Sequence, residues 1–338
     1  MFLEGIIGIT LIVYVFNLVY GKLLRGRKIN GINEKAVMVT GCDSGLGLEM
    51  IKHLNSIGFV TIATCLNCNS KGYQELITKG ERCKVIIMDI TKEDQVIETF
   101  NEVKSYLNQM GIDGLYGLVN NAGVLINGEF DWCTWPQIKN QIDVNLTGPI
   151  QLTKLFIDDI VNNQGRLIYV TSLVSTVPFP LCSTYCSTKS GLSMFAEGLS
   201  AELDRFGVKI ILLQPGDFTK LTNIVQVTVK ASTMMRDSFN ERKKILYGDY
   251  FSQYYSNMIK DLGIISYDNY RDSSLNHDIE EALTSVNPRL VMVQSFLWYQ
   301  IIIKTISILP RNWRINISKF VQYLSRKKLI NSDEQVNQ

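Results

Sequence analysis

Residues 36–47 read Ala-Val-Met-Val-Thr-Gly-Cys-Asp-Ser-Gly-Leu-Gly. Four apolar residues run straight into a turn holding Gly41, Gly45 and Gly47, and a helical pattern follows through Glu49, Met50 and Leu54. Glycines at such a junction permit a tight reversal and let backbone N–H groups approach a pyrophosphate at the helix N-terminus. The turn therefore nominates Gly41, Ser44, Gly45, Leu46 and Gly47 as nucleotide contacts. Its spacing is GxxxGxG rather than the more familiar GxGxxG. Glycine turns between strand and helix are common, so the flanking sequence has to decide.

Outward from this stretch, residues 60–64, 84–88, 115–119, 166–171 and 209–213 repeat the short β-rich run of 36–40, with helical patterns in the gaps. That alternation predicts an α/β fold: a doubly wound parallel sheet of Rossmann type with right-handed crossovers. In such a sheet ligands sit beyond the carboxyl ends of the strands. Asp89, after the third run, is placed to accept from an adenine amino group or to cap the next helix. Asn121, Ala122 and Gly123 follow the fourth run, where small residues allow a cofactor close approach or simply make a turn. Pro215 and Gly216 break the chain after the sixth, with Thr219 and Thr222 downstream, as a loop that offers backbone partners to a nicotinamide amide.

Tyr185 and Lys189 stand four apart at the start of a helical pattern over 183–205 and share one face. A phenol titrates near ~10, too high for a base at neutral pH, but a neighbouring ammonium and a cationic nicotinamide both favour the phenolate. Such a tyrosine can exchange a proton with an alcohol or ketone oxygen. Ser172, thirteen residues earlier and just past the fifth strand, offers a hydroxyl to the same oxygen. Asn145 lies mid-helix, where an amide is mildly unfavourable, and suits a water relay. Each also has a plain reading, as a surface pair, a turn residue and a kink; the combination is what points to chemistry.

Taken together these residues resemble the short-chain dehydrogenase/reductase family over roughly 35–225, on Thr40–Gly47, Asp89, Asn120–Gly123, Asn145, Ser172, Tyr185, Lys189 and Pro215–Gly216. Thr40–Gly47, Met88-Asp89-Ile90-Thr91 and Pro215-Gly216-Asp217-Phe218 look like the branch holding type 2 17-beta-hydroxysteroid, microsomal retinol and 3-hydroxybutyrate dehydrogenases. The resemblance implies that Tyr185 is the acid/base, that Lys189 binds the nicotinamide ribose and lowers the tyrosine pKa, that Ser172 orients the substrate oxygen and that Asn145 supports a proton relay. It also implies a homodimer through the helices bearing Asn145 and Tyr185. Two rivals remain: a non-catalytic nucleotide-binding scaffold, and another Rossmann enzyme such as a methyltransferase or epimerase.

The second run ends Cys65-Leu66-Asn67-Cys68, with neither the arginine that would favour NADP nor the acid that would bond the ribose of NAD. By resemblance Leu66 stands where NADP-dependent relatives carry arginine, and Asn67 can still bond a hydroxyl; NAD is expected rather than NADP. Phe239 precedes Tyr247, Tyr250, Phe251, Tyr254 and Tyr255, whose spacing is a helical aromatic face, read as packing over the sheet and as the lid of a pocket for a lipophilic alcohol, steroid or retinoid ahead of hydroxybutyrate.

The chain has 338 residues, 46% of them apolar and 20% charged, enough for one large α/β unit with appendages. A formal charge of +2 gives no footprint for nucleic acid. Seven cysteines without a repeating frame favour reduced thiols, and with only His53 and His277 neither a histidine triad nor a multi-histidine metal cage is available, so no metal is expected. Residues 5–21 are uncharged and followed by Lys22, Arg25, Arg27 and Lys28, which predicts a membrane anchor with the catalytic domain on the cytosolic side. Endoplasmic reticulum is the expected membrane. Residues 290–309, interrupted by Gln294, Gln300 and Lys304, leave a second span open at the cost of a central lysine, and are expected instead to lie on the bilayer or to form a core helix. The division expected is an anchor with its basic flank at 1–30, a dinucleotide-binding core at 31–225 and a lid with a membrane-associated extension at 226–338.

Overall fold

Every residue of strand β1 (Ala36–Val39) is buried, as a strand must be when helices cover both faces of its sheet. Its side chains alternate: Ala36 and Met38 join one core with Leu118, Tyr169 and Leu192, while Val37 and Val39 join another with Val119, Ile168 and Ile211. The computed structural model describes residues 26–261 and 266–336. Around β1 it builds a seven-stranded sheet from β2 (Val60–Cys65), β3 (Cys83–Ile87), β4 (Gly117–Asn120), β5 (Arg166–Val170), β6 (Lys209–Pro215) and β7 (Val291–Gln294). The order is β3-β2-β1-β4-β5-β6-β7 and every pairing is parallel. This is a Rossmann-type α/β fold. The strand order reverses between β1 and β4, which opens a crevice at their carboxyl ends.

Two departures from the sequence reading matter for the site. The sheet does not end with the core expected at 31–225, because β7 extends it from inside the apolar stretch 290–309. The helix Leu275–Thr284 reaches the sheet as well, burying Leu275, Ile279, Ala282 and Leu283 at helical spacing. The remainder of the apolar stretch forms the helix Leu297–Ile308. Among the described residues no helix is long and apolar enough to cross a membrane. The anchor expected at 5–21 lies outside the described residues.

The aromatic helix Glu241–Asp261 also differs from expectation. Its rings pack not over the sheet but around Trp132, which is fully buried and meets Tyr247, Tyr250, Phe251, Tyr254 and Tyr255 at centroid distances of 5.1–6.1 Å. The loop after β4 thus supplies the anchor for the lid.

Candidate active site

The glycine turn is held in shape by its neighbours on both sides. Gly41 adopts φ +71°, and a β-carbon there would stand 2.9 Å from the Ala122 Cα. One on Gly47 would reach within 2.3 Å of the Gly41 carbonyl oxygen, a clash that no side-chain rotation relieves. Thr40, a residue the motif reading did not single out, clamps this turn to β4: its hydroxyl oxygen accepts the N–H groups of Asn121 and Ala122 at 3.0 and 2.9 Å. Asn121 returns the contact, its Nδ2 donating to the carbonyl oxygens of Thr40 at 2.8 Å and Gly41 at 3.2 Å. Gly41, Gly47, Asn121 and Ala122 are therefore brought together.

Asp43 is the second residue that reading missed. Its carboxylate accepts the backbone N–H groups of Leu66 and Asn67 at 2.9–3.0 Å, which fixes the loop after β2. Asn67 is exposed and its Oδ1 accepts the Asn69 N–H at 2.8 Å. Asp89 bonds the N–H and hydroxyl of Thr91 at 3.0 and 2.8 Å. It does not cap the next helix, Glu93–Gln109, which begins after Lys92.

At the end of β6, Gly216 donates its N–H to the Gln294 carbonyl on β7 at 2.9 Å, so Pro215 and Gly216 are fixed by a strand the sequence hid. The following turn folds back over the glycines: a β-carbon on Gly45 would lie 3.2 Å from Thr222 Cγ2, and Asn223 Nδ2 donates to Ser44 Oγ at 2.9 Å. Leu46 lies in the first turn of the helix Gly45–Ser56. Ser44 caps that helix without a side-chain hydrogen bond, and the buried Thr222 hydroxyl finds no partner among the described residues. An open helix N-terminus beside an unsatisfied buried hydroxyl fits a phosphate group, so the residues present suit a dinucleotide.

The residues nominated for proton transfer gather on the other side of Gly123. A β-carbon there would lie 3.4 Å from both Asn145 Oδ1 and Lys189 Nζ. Asn145 is fully buried, and it sits not in an unbroken helix but in a π-helical turn, Asp143–Thr147, a distortion that recurs at functional sites. Its amide bonds both backbone groups of Val124 at 2.8 Å, and its Nδ2 also donates to Thr188 Oγ1 at 3.3 Å. Thr188 in turn donates to the Tyr185 carbonyl at 2.8 Å, a link the motif reading did not include.

Tyr185 and Lys189 project from the first turns of the helix Ser183–Leu203. Burial pushes the Tyr185 phenol well above its usual value, and the neighbouring Ser172 side chain opposes the shift. Lys189 Nζ donates to the Val170 carbonyl at 2.8 Å and lies 5.8 Å from the Tyr185 ring centroid. Burial lowers its pKa to about 8. In the protein alone, burial therefore keeps the Tyr185 phenol protonated; the expected pull toward the phenolate joins the lysine to a cationic nicotinamide.

Beyond this group, Tyr254 donates to Asn127 Oδ1 at 2.6 Å, and Asn127 Nδ2 meets Cys182 Sγ at 3.5 Å, three residues before Tyr185. On the opposite side Leu173 and Val177 pack against Ile303, Tyr299 and Ile306 of the helix Leu297–Ile308. An apolar cluster thus stands on one side of Ser172 and Tyr185 and a polar contact chain on the other, near the glycine turn at the switch point of the sheet. That combination defines an alcohol or carbonyl oxidoreductase.

The chain belongs to the short-chain dehydrogenase family, whose sequence pattern it matches over residues 35–232. It is 34% identical to retinol dehydrogenase 16 of Rattus norvegicus over 79% of this chain and 83% of that one. It is 33% identical to estradiol 17-beta-dehydrogenase 2 of Rattus norvegicus over 76% and 67%, and 29% identical to the mitochondrial D-beta-hydroxybutyrate dehydrogenase of Bos taurus over 79% of each. A short-chain dehydrogenase from Streptomyces avermitilis shares the fold, with a TM-score of 0.63 at 20% identity over 87% of this chain and 98% of its own. The protein is a short-chain alcohol dehydrogenase.

Proposed function

We propose that the enzyme oxidises a lipophilic secondary or allylic alcohol, a steroid or a retinoid, with NAD, in the manner of a 17-beta-hydroxysteroid dehydrogenase. The observation that carries the chemistry is the meeting of Lys189 and Asn145 at Gly123, with the Ser172 side chain beside the Tyr185 phenol. The nicotinamide of the bound dinucleotide supplies or accepts the hydride. Ser172 orients the substrate oxygen, and Tyr185 takes its proton in oxidation or returns it in reduction. Lys189 holds the ribose and, while protonated, favours the phenolate. Asn145 keeps the 124 backbone and Thr188 in place for a proton relay. Gly41, Ser44, Gly45, Leu46, Gly47 and Thr222 hold the phosphates, Asn67 and Asp89 the adenosine half, and Asn121, Ala122, Gly123, Pro215 and Gly216 the nicotinamide half.

The preference for a lipid alcohol is supported by the apolar wall at Leu173 and Val177 and by the relatives named for estradiol and retinol. The uncharged segment 5–21 and the cations after it support an endoplasmic reticulum membrane with the catalytic domain facing the cytosol. Pairing of two copies through the helices bearing Asn145 and Tyr185 belongs to the same reading.

The test is absorbance at the reduced-nicotinamide band with detergent-solubilised full chain, NAD and NADP each being offered with estradiol, testosterone, retinol and 3-hydroxybutyrate. NADH formation with estradiol, testosterone or retinol is the expected result. Silence with every lipid alcohol, despite measurable NADH binding, would sink the substrate reading.

Asp43 gives a second expectation. Asp43→Ala leaves the Leu66 and Asn67 N–H groups without their acceptor and loosens the loop that the adenosine ribose must meet. The KM for NAD should rise about tenfold with kcat within about twofold, since the loss of charge-assisted hydrogen bonds is worth about 1.5–3 kcal/mol. An unchanged KM would show that the loop holds its shape without the carboxylate.

A further inference from the structure

The C-terminal part of the chain carries an apolar surface that the described residues leave uncovered. Trp298, Ile301, Ile308, Trp313, Phe320 and Tyr323 are each more than half exposed. On the helix Leu297–Ile308 the spacing of Trp298, Ile301 and Ile308 marks one stripe, while Tyr299, Ile303 and Ile306 on the other side pack against Leu173 and Val177. This helix is apolar on both sides. Pro310 ends it, and the helix Arg311–Val336 begins with a second stripe, Trp313, Ile317 and Phe320, at i, i+4 and i+7. Arg314 Nη1 of that helix donates to the Thr176 carbonyl at 3.4 Å. Both helices therefore hold the turn that follows Ser172. Monomeric soluble proteins rarely leave an apolar patch larger than about 300–600 Å² open to water.

Charge says what covers it. Residues 282–332 contain eight lysines and arginines and no aspartate or glutamate, so a chain of formal charge +2 carries −6 outside this segment. Lys304, Arg311 and Lys319 are exposed among the apolar stripes. Twelve residues of helix span about 18 Å, short of the roughly 30 Å of a bilayer core, so the helix Leu297–Ile308 can lie on a membrane and cannot cross one. Tryptophans at the boundary, apolar residues below and cations among headgroups make an interfacial helix pair. Each cation near an anionic leaflet contributes about 1 kcal/mol.

We propose that the helix Leu297–Ile308 and the first four turns of the helix Arg311–Val336 form a docking surface for a bilayer bearing anionic headgroups, which seats the Ser172 turn against the membrane. The role of the surface in delivering substrate rests on the lipid-alcohol reading above; the docking itself does not. A lipophilic alcohol dissolved in the bilayer then reaches Ser172 and Tyr185 without crossing water.

The experiment follows tryptophan emission of the full chain, without substrate, in phosphatidylcholine vesicles with brominated acyl chains, with and without about one-third phosphatidylserine. Quenching is expected to be stronger with phosphatidylserine. The double variant Trp298→Phe, Trp313→Phe should lose at least half of it, since Trp132 is buried and the exposed Trp135 lies on the helix Trp135–Ile142, outside the docking surface. The triple variant Lys304→Glu, Arg311→Glu, Lys319→Glu should quench equally in both vesicles. Quenching that survives the double variant, or that ignores phosphatidylserine in the native chain, would overturn the proposal. So would tryptophans that stay unquenched in both vesicles because a second copy or residues 5–21 cover the stripes. Because no substrate is present, inactivity toward every lipid alcohol leaves this result standing, and absent docking leaves the turnover assay standing.

Discussion

Tyr185→Phe turns over its alcohol about two to four orders of magnitude more slowly than the native enzyme, the usual size of a lost general acid or base, while binding NADH within about twofold of it. The substitution keeps the ring in the helix Ser183–Leu203 and removes only the hydroxyl beside Ser172. Cofactor contacts are carried by other atoms, so titration of NADH fluorescence should be nearly unchanged. The native pH profile has a sign fixed by the same group. Burial holds the Tyr185 phenol well above its ordinary value, so near neutrality the proton is in place for reduction and has to be lost for oxidation. Alcohol oxidation should accordingly rise with pH, and reduction of the matching ketone should fall, as the site deprotonates. Both slopes should vanish in the phenylalanine variant. Native-like turnover by Tyr185→Phe would remove Tyr185 from the mechanism.

The sheet from β1 to β6 could be read from sequence because its strands, apart from the partly buried edge strand β3, are buried on both faces and so are short apolar runs closed by Gly, Asn, Ser or Pro. β7 could not. Its four residues, Val-Met-Val-Gln, sit inside the apolar stretch 290–309, and a strand of that length has the same composition as a turn of buried helix. The site divides in a similar way. Gly41, Asn121, Ser172, Tyr185 and Lys189 were visible because their residue types are demanded by turns and proton transfer at fixed spacing. Thr40 and Asp43 were not, because their work is to accept backbone N–H groups 81 and 23 positions away, and nothing local marks a side chain for that. Asn145 was visible as a misfit amide suited to a relay, but not the π-turn that holds it, where its amide bonds Val124 and Thr188. The aromatic face of Glu241–Asp261 was evident from its period, but not what it covers, since Trp132 is more than a hundred residues earlier.

Lys189→Met should produce an enzyme that is inactive and more stable than the native chain. Lys189 is buried, and burial has pulled its pKa from 10.5 down to about 8. At pH 7 the folded protein must still hold the ammonium, at a cost near 3 kcal/mol, from about 1.4 kcal/mol per pKa unit. Methionine occupies a similar volume without that charge. It also leaves the Val170 carbonyl without the Lys189 donor, which returns about 1 kcal/mol, so the variant should be more stable by about 2 kcal/mol at pH 7. The pH dependence identifies the cause. Between about 8 and 10.5 the unfolded chain binds the proton that the folded chain has released, so native stability rises with pH relative to the variant. The advantage of Lys189→Met should therefore be complete below pH 8 and gone by the upper end of that window. Urea unfolding of the two proteins at pH 7, 8.5 and 10 measures it. A destabilised variant, or an advantage that does not shrink on raising the pH, would mean that Lys189 is neutral in the folded protein or contributes more through its bond to Val170 than its desolvation costs. If the expected pattern holds while NAD turnover is lost, a residue kept at the expense of the fold is kept for the reaction, as trade-offs between stability and activity at buried charged sites require.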